Sequence, residues 1–411
     1  MDQLFGNAVV GQSGGPTAAI NATLAGVIRG VLENGRGVIG KLYGMHNGIE
    51  GLAREDLTEL NGIFEDPERL RILIHTPAAA LGSCRKKLPK PGEDDAVYEK
   101  ILAIFQKYNI RYFFYIGGND SMDTVAKLTA YTEKCGYEMR IVGVPKTIDN
   151  DLIITDHTPG YGSAAKYIAV TVQEILRDCA VYTLPAVTVV EIMGRDAGWL
   201  TAAAGVGGAV GMPVPDLIYL PEHAFSEAEF FEDVRAALAA HPNVVIAVSE
   251  GVRFADGTYV CEGFSVPSVD PFGHKQLSGT GRALEYAVKR EIGCKVRSVE
   301  LNISQRCGAH IASATDLAES EQIGAAAVGT ALSGISGVMM VFVREEGEPY
   351  RVRISTSAVS GIANRIKKVP PEYISPRGNR ITEACARYIL PLIEGEATPC
   401  YRHGLPEFFI F

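Results

Sequence analysis

The chain has 411 residues, which is enough for two or three domains. Apolar residues make up 47% of it and charged residues 21%, as is usual for a soluble globular enzyme. The formal net charge of −9 argues against broad binding to nucleic acid or to anionic membranes, but it leaves room for a local basic pocket that takes a phosphorylated small molecule.

Strand-like apolar runs alternate with helix-like runs through the first part of the chain. Three of the strand patterns continue directly into polar loops, namely "NAVVGQSGGP", "IRYFFYIGGND" and "MRIVGVPKTIDND". Helical patterns such as "TAAINATLAGVIRGVLEN" and "SMDTVAKLTAYTEKCG" lie between them. This β-α-β-α order predicts an α/β protein with a parallel, doubly wound sheet.

The second half continues this rhythm with the helix "GSAAKYIAVTVQEILRDCA" and the strands "AVTVVEI" and "NVVIAVSEGV". The segment "SEAEFFEDVRAALAAH" opens with a Ser-x-x-Glu capping pattern and predicts a further helix. The uncharged residues 323–343 are about as numerous as a membrane span requires, but "SGISG" interrupts them. We expect a buried helix, a glycine turn and a buried strand there.

The cysteines and histidines indicate neither a disulfide framework nor a zinc site, because no C-x-x-C and no H-E-x-x-H pattern occurs. The N-terminus lacks the basic region followed by an apolar one that marks a secretory signal. We therefore expect a cytoplasmic protein with reduced thiols.

The loop after the first strand contains Gly14 and Gly15 and opens the first helix. Glycines there let backbone N–H groups approach a phosphate at a helix N-terminus. The loop matches neither G-x-G-x-x-G nor a Walker A sequence. An ordinary strand-to-helix turn explains it about as well as a phosphate site does.

Two further strand ends carry polar clusters. In "GGNDS", the oxygens of Asn119 and Asp120 suit a phosphate with its Mg²⁺, although helix capping by Asp120 or Ser121 would also explain them. Residues 146–151, "KTIDND", present a cation, a hydroxyl and two carboxylates, which suits proton removal and charge neutralisation in phosphoryl transfer. A solvated Asn/Asp turn is the alternative, and it explains acids directly after a buried strand less well.

Single charged residues at the ends of other predicted segments are also candidate ligand contacts. The tripeptide "MGR", residues 193–195, follows a strand, where its guanidinium could reach a phosphate or a sugar. Glu222 in "LPE" could accept sugar hydroxyls, and Arg85 in "LGSCRKK" and Arg306 in "SQRC" are possible phosphate ligands. Each of these residues also has an ordinary explanation as a surface or loop residue.

Taken in order, "SGGP", "LGSCR", "GGNDS", "PKTIDND", "MGR", "LPE" and "QR" resemble the motifs of the phosphofructokinase family over most of the chain. The ordered set is much more specific than any single motif. The resemblance implies two Rossmann-like domains with the active site in the cleft between them, and phosphoryl transfer to the 1-hydroxyl of fructose 6-phosphate. It implies a donor domain at residues 1–160 plus about 316–365, and a fructose 6-phosphate domain at residues 161–315 plus about 366–411.

The resemblance also implies roles for single residues. Asp149 resembles the general base, with Lys146 and Asp120 as the other catalytic residues. The residues that resemble fructose 6-phosphate contacts are Thr147, Ile148, Asp149, Met193, Gly194, Arg195, Glu222 and Arg306. The residues that resemble diphosphate contacts are Gly14, Gly15 and Arg85, and those that resemble Mg²⁺ ligands are Asn119 and Asp120.

Two positions indicate the phosphoryl donor. ATP-dependent members typically read "GGDGS" and "GTIDND", whereas Asp120 and Lys146 are similar to the residues of the pyrophosphate-dependent branch. A carboxylate at Asp120 would crowd and repel the α-phosphate of ATP, and Lys146 could stabilise the small leaving phosphate. We therefore expect a reversible, pyrophosphate-dependent enzyme, with an ATP-dependent 6-phosphofructokinase as the alternative.

Three features depart from the family pattern. Asn119 replaces an acidic partner of Mg²⁺, so Asp120 or Asp151 is expected to carry more of the metal. A second arginine for the 6-phosphate is not evident after "QR", and Arg377 in "YISPRGNR" is the candidate. The first helix keeps only Arg29, so we expect weak or absent regulation by nucleotides.

Two other classes of function are less consistent with the sequence. The presence of Asp149 argues against a non-catalytic regulatory subunit, and the missing G-x-G-x-x-G argues against a nucleotide-binding oxidoreductase. By analogy with the family we expect a homodimer or homotetramer, with no nucleic-acid or membrane partner. A longer ketose phosphate is also compatible with the sequence as a substrate.

Overall fold

The structure is a computed structural model that describes residues 4–262, 279–362 and 365–411. Its strands are β1 (Gly6–Gln12), β2 (Ile39–Met45), β3 (Leu57–Glu59), β4 (Ile110–Gly117), β5 (Arg140–Pro145), β6 (Ala186–Ile192), β7 (Leu217–Tyr219), β8 (Asn243–Ser249), β9 (Lys295–Glu300), β10 (Val338–Arg344), β11 (Val352–Ala358), β12 (Tyr401–Arg402) and β13 (Leu405–Pro406).

Its α-helices are α1 (Ile20–Asn34), α2 (Gly48–Arg54), α3 (Pro67–Ile74), α4 (Ala96–Lys107), α5 (Asn119–Lys134), α6 (Tyr161–Cys179), α7 (Trp199–Ala202), α8 (Glu227–Ala240), α9 (Thr280–Glu291), α10 (Ser304–Cys307), α11 (Ala314–Leu332) and α12 (Glu383–Ile389). Short 3₁₀ helices span Gly62–Phe64, Ala203–Val210, Ala309–Ile311, Pro371–Tyr373 and Leu390–Ile393.

Seven strands form the first sheet, in the order β11-β10-β5-β4-β1-β2-β3. The inner pairings from β10 to β2 are parallel, as the β-α-β-α order predicts. Both edge strands are antiparallel, because β3 pairs with β2 and β11 with β10. Only residues 345–351 separate β10 from β11, which is too short for the crossover that a parallel neighbour needs. The predicted parallel, doubly wound sheet is therefore confirmed, with one antiparallel strand added at each edge.

The first sheet and the helices that cover both of its faces form the first lobe. Along β4 the side chains of Tyr112, Phe114 and Ile116 pack in one core cluster with residues of α1 and α11. Phe113 and Tyr115 pack in the cluster on the other face, with residues of α4 and α5. Burial on both faces is what a parallel sheet requires, and it explains why β4 reads as a continuous apolar run.

Helices α1 and α11 approach each other backbone to backbone. A Cβ atom at Gly26 would lie 2.0 Å from the carbonyl oxygen of Glu321, and one at Gly324 would lie 2.2 Å from that of Thr23. Glycine is therefore required at both positions. The contact fixes a late segment of the chain against its first helix.

Four parallel strands form the second sheet, in the order β7-β8-β6-β9, and with the helices around them they form the second lobe. Helix α8 begins after Ser226, whose Oγ accepts a hydrogen bond from the N–H of Glu229 at 3.4 Å. The capping pattern predicted this start correctly.

Residues 323–343 fold as predicted. Helix α11 ends at Leu332, a turn with positive φ at Gly334 and Gly337 follows, and β10 begins at Val338. In the described ranges no helix has the length and apolar character needed to cross a bilayer. The domain boundaries given above stay a prediction.

Candidate active site

The carboxyl ends of the two sheets meet at a cleft of about 490 Å³. The loops after β1, β4 and β5 line it from the first lobe, and the loops after β6 and β8 together with α10 line it from the second. Since adjacent parallel strands end at one edge of a sheet, motifs far apart in sequence converge here. The predicted site residues that line the cleft are Gly14, Gly15, Arg85, Asn119, Asp120, Lys146, Thr147, Ile148, Asp149, Met193, Arg195 and Arg306.

Lys146 is a buried cation with only 2% of its surface exposed. Its Nζ donates a hydrogen bond to the carbonyl oxygen of Gly15 at 2.5 Å, which ties the loop after β5 to the loop after β1. Burial lowers the pKa of Lys146 from 10.5 to about 7, and the nearby carboxylate of Asp149 opposes this change. A phosphate entering the cleft would favour the protonated amine, so Lys146 suits an anionic ligand.

Gly14 has a backbone conformation that favours glycine, with φ at +79°. Its N–H donates to the carbonyl oxygen of Cys84 at 3.1 Å, and the hydroxyl of Ser13 approaches the same oxygen at 3.4 Å. These contacts hold the segment of Cys84 against the loop after β1. The neighbouring Arg85 consequently lines the cleft.

Asp149 and Asp151 are the half-buried acidic residues after β5. The N–H of Asp149 donates to Oγ1 of Thr147 at 3.1 Å, and that hydroxyl lies 3.4 Å from Oδ2 of Asp149. Burial raises the pKa of Asp149, and the guanidinium of Arg195 opposes the rise most strongly. Burial and the charge of Asp149 raise the pKa of Asp151 to about 7. This pair can therefore accept a proton near neutral pH.

Asn119 and Asp120 form the first turn of α5, which begins two residues earlier than the sequence pattern predicted. Nδ2 of Asn119 donates to the carbonyl oxygen of Arg365 at 3.4 Å, while its Oδ1 is buried and has no hydrogen-bond partner within the described chain. Asp120 pairs with Lys87 at 3.0 Å. The described residues contain no cluster of three or more His, Cys, Asp or Glu side chains that could hold a metal.

The second lobe presents a guanidinium and a carboxyl to the cleft. Nε of Arg195 is buried and lacks a hydrogen-bond partner among the residues that the structure describes. Met193 also lines the cleft, whereas Gly194 lies behind it with its N–H 3.4 Å from Oε1 of Glu250. Glu250 itself lines the cleft, and burial raises its pKa to about 8.

Glu250 is a site residue that the sequence reasoning missed. It follows the buried strand β8 just as Lys146 follows β5, so the same signal could have identified it. Lys87, Asp196 and Ile366 line the cleft as well, and no pattern in their segments distinguished them.

Glu222 is not among the described residues that line the cleft, so its contact with the sugar stays a prediction. Its Oε2 is buried and has no hydrogen-bond partner among the described residues. Its Oε1 accepts hydrogen bonds from the backbone N–H groups of Gly198 and Val369, both at 2.9 Å. Burial raises the pKa of Glu222. The carboxyl of Glu222 therefore links the backbone at Gly198 to the backbone at Val369.

Two arginines that the sequence suggested as ligand-binding residues form ion pairs with carboxylates of this chain. Arg377, the candidate second ligand for a 6-phosphate, pairs with Glu232 and Asp233 of α8 at 2.9 and 3.1 Å and is absent from the described lining of the cleft. Arg29 pairs with Glu321 between α1 and α11. Arg306 is accordingly the predicted 6-phosphate arginine that the fold does bring to the cleft.

Convergent cations, half-buried acidic residues with raised pKa values and a glycine loop are the features expected of a phosphoryl-transfer enzyme. The model of the family described as phosphofructokinase matches residues 7–331. The chain is 42% identical over 407 residues to a pyrophosphate--fructose 6-phosphate 1-phosphotransferase of Methylococcus capsulatus, which covers 98% of this chain and 95% of the relative.

Solved structures agree with this match. A pyrophosphate-dependent phosphofructokinase from Nitrosospira multiformis superposes with a TM-score of 0.88 at 37% identity, covering 98% of this chain and 96% of the other. A pyrophosphate-dependent phosphofructokinase from Marinobacter aquaeolei gives a TM-score of 0.86, also at 37% identity, covering 98% and 95%. The chain belongs to the phosphofructokinase family.

Proposed function

We propose that this protein transfers a phosphoryl group reversibly from pyrophosphate to the 1-hydroxyl of fructose 6-phosphate, giving fructose 1,6-bisphosphate and phosphate. The observation that carries this proposal is the presence of Asp120 and the buried Lys146 in one cleft with Asp149. The names of its relatives at 41–42% identity support the same reaction.

The sugar phosphate binds on the side of the cleft that the second lobe forms. Arg195 has a buried Nε without a partner in the described chain, and Arg306 adds a second guanidinium. Planar guanidinium groups suit phosphate oxygens because they donate two parallel hydrogen bonds. The carboxyl of Glu250 faces the same space and can accept hydrogen bonds from sugar hydroxyls. Thr147 and Ile148 contact the sugar from the first lobe.

Asp149 acts as the general base. As the 1-hydroxyl oxygen attacks phosphorus, its proton passes to the carboxylate of Asp149, and in the reverse direction Asp149 returns it. The raised pKa of Asp149 brings its proton affinity closer to neutral pH, where a base transfers protons efficiently. Asp151, with a pKa of about 7, lies next to it as a second carboxyl that can share the proton.

The donor binds against the first lobe, where Gly14, Gly15 and Arg85 line the cleft. Lys146 donates to the leaving phosphate and balances the charge that builds up on it. A carboxylate at Asp120 would crowd and repel the α-phosphate of a nucleotide donor. Pyrophosphate has no α-phosphate to be repelled, so these residues favour pyrophosphate over ATP.

The oxygens of Asn119 and Asp120 fit a divalent cation such as Mg²⁺, because Oδ1 of Asn119 is buried without a hydrogen-bond donor in the described chain. Mg²⁺ commonly takes one or two protein oxygens and completes its shell with water and substrate phosphates. When bound, the cation would neutralise charge on the pyrophosphate. We further propose a homodimer or homotetramer in the cytoplasm, by analogy with the family.

The deciding experiment is a coupled assay of fructose 1,6-bisphosphate formation from fructose 6-phosphate and Mg²⁺, with pyrophosphate or ATP in parallel. We expect activity with pyrophosphate alone. Activity with ATP alone would keep the family and the base but overturn the donor assignment. The reverse reaction, from fructose 1,6-bisphosphate and phosphate, should proceed on the same enzyme, and Asp149→Ser gives the background in both directions.

A further inference from the structure

Residues 365–369, which we call the strap, connect the first turn of α5 to the loop after β5. The carbonyl oxygen of Arg365 accepts a hydrogen bond from Nδ2 of Asn119 at 3.4 Å. Two residues later, the N–H of Lys367 donates to the carbonyl oxygen of Asp151 at 2.7 Å. The strap therefore runs beside two of the loops that form the cleft.

The strap is also held by the second lobe. The carbonyl oxygen of Lys367 accepts a hydrogen bond from Nε1 of Trp199 at 2.9 Å. The N–H of Val369 donates to Glu222, the carboxyl that also binds Gly198. The strap therefore links the second lobe to the loop that carries Asp149.

The amine of Lys367 is directed at that loop from behind. Its Nζ donates to Oδ1 of Asn150 at 3.0 Å, and to the carbonyl oxygens of Asp156 and Thr155 at 2.6 and 3.3 Å. Three acceptors satisfy the three N–H groups of an ammonium. The charge also lies 5.3 Å from the centroid of the Trp199 ring, within the range of a cation–π interaction.

Asn150 is the residue that this amine holds, and it separates the two carboxyls of the site. It is fully buried, and its φ of 52° lies in the left-handed region, so it turns the chain between Asp149 and Asp151. Its Nδ2 approaches the hydroxyl of Tyr388 at 3.2 Å. The side chain of Asn150 is thus fixed at both ends, by Lys367 and by Tyr388.

We propose that Lys367 is a positioning residue for the phosphoryl transfer, holding the loop of residues 149–156 so that the carboxylate of Asp149 faces the reacting hydroxyl. This inference rests on the proposed function. Lys367 does not itself line the described cleft, so its effect on the reaction passes through Asn150. A purely structural role would lower stability without changing the turnover of the folded enzyme.

The test compares Lys367→Met with Lys166→Met. Lys166 is also buried, with 7% of its surface exposed, and its Nζ donates to the carbonyl oxygen of Gly395 at 2.5 Å and pairs with Glu396 at 3.1 Å, away from the cleft. We expect Lys367→Met to lower kcat by about 10²-fold with KM for both substrates nearly unchanged, because small displacements of reacting groups reduce rates to this extent. Lys166→Met should keep kcat. Equal kcat values in Lys367→Met and wild type would overturn the proposal.

A milder variant keeps the proposal testable if Lys367→Met does not fold. Tyr388→Phe removes only the hydroxyl that accepts from Nδ2 of Asn150 and donates to the carbonyl oxygen of Asp156 at 2.6 Å. We expect kcat to fall by about 10–10²-fold, the factor expected for two hydrogen bonds that hold this loop. Normal turnover in Tyr388→Phe would count against the positioning of Asn150.

Amide hydrogen exchange provides a readout that does not depend on activity. Exchange of residues 149–156 should speed up in Lys367→Met or Tyr388→Phe and stay unchanged in Lys166→Met. A wild type without pyrophosphate-dependent activity would refute the proposed function, and unchanged exchange in these variants would refute the positioning role separately.

Discussion

Replacing Lys146 by methionine should stabilise the protein and inactivate it at the same time. Methionine has a similar length and no charge. Burial lowers the pKa of Lys146 from 10.5 to about 7, and each pKa unit corresponds to about 1.36 kcal/mol, so the lysine opposes folding by up to about 5 kcal/mol at neutral pH. Loss of the hydrogen bond to Gly15 removes about 1 kcal/mol. Relaxation and water penetration reduce such burial costs, so we expect a net gain of about 2 kcal/mol in the free energy of unfolding.

The pH dependence of unfolding identifies the cause of this gain. Between about pH 7 and 10.5 the unfolded lysine keeps a proton that the folded protein has released, so the free energy of unfolding rises with pH. For Lys146 the rise between pH 7 and 9 should be about 2 kcal/mol, and Lys146→Met should lack it. Burial also lowers the pKa of Lys367 to about 7, and its contribution is common to both proteins, so the difference between them isolates Lys146.

Urea unfolding at pH 7 and pH 9 measures both effects, and the pyrophosphate assay measures the loss of charge stabilisation. We expect turnover to fall by about 10²–10³-fold in Lys146→Met, as when an enzyme loses one donor to a developing charge. The exposed Lys289 provides the control, since Lys289→Met should change neither stability nor turnover. A variant that is no more stable than the wild type at pH 7, or that keeps the same rise to pH 9, would refute the argument from burial.

Three further variants test other parts of the site. Asp149→Ser should leave the fold intact and lower turnover by about 10²–10⁴-fold, as expected for a general base; near-normal turnover with an unchanged circular dichroism spectrum would remove Asp149 from the mechanism. Asp120→Gly combined with Lys146→Gly should raise the ratio of ATP-dependent to pyrophosphate-dependent activity, and a ratio that did not move would show that these positions do not select the donor. Glu250→Ala should raise KM for fructose 6-phosphate by about tenfold while KM for pyrophosphate stays constant, because it removes side-chain hydrogen bonds to the sugar alone; a change confined to the pyrophosphate KM would place Glu250 on the donor side.

The parts of the fold that the sequence predicted best are the strands buried on both faces. β1, β4, β5, β6 and β8 are continuous apolar runs, and each was located within a few residues. β9 was missed because it is an edge strand, and its sequence "KVRSVE" alternates charged and apolar residues without an apolar run. The short helices α2 and α3 were also missed, since seven or eight residues carry little periodicity.

The site residues that the sequence predicted best are those that directly follow a strand. Lys146 and Asp149 came from that rule, and Glu250 fits it equally well. The strap could not be predicted in this way, because the hydrogen bond between Lys367 and Asn150 joins residues 217 positions apart. Glu222 shows the opposite limitation: one oxygen of this strand-end carboxyl binds the backbone N–H groups of Gly198 and Val369, and the sequence did not indicate these contacts.

The contact between α1 and α11 has a consequence for the order in which the protein is made. The four strands of the second sheet lie within residues 186–300, with no strand of the first sheet between them. They can therefore pair during translation as soon as this segment leaves the ribosome. At that stage the first sheet is incomplete, because β5 lacks its second neighbour until β10 has been synthesised. The contact of α1 with α11 also forms only after Gly324 and the rest of α11 have been synthesised. The strands of the second sheet are therefore all synthesised before the last strands of the first sheet.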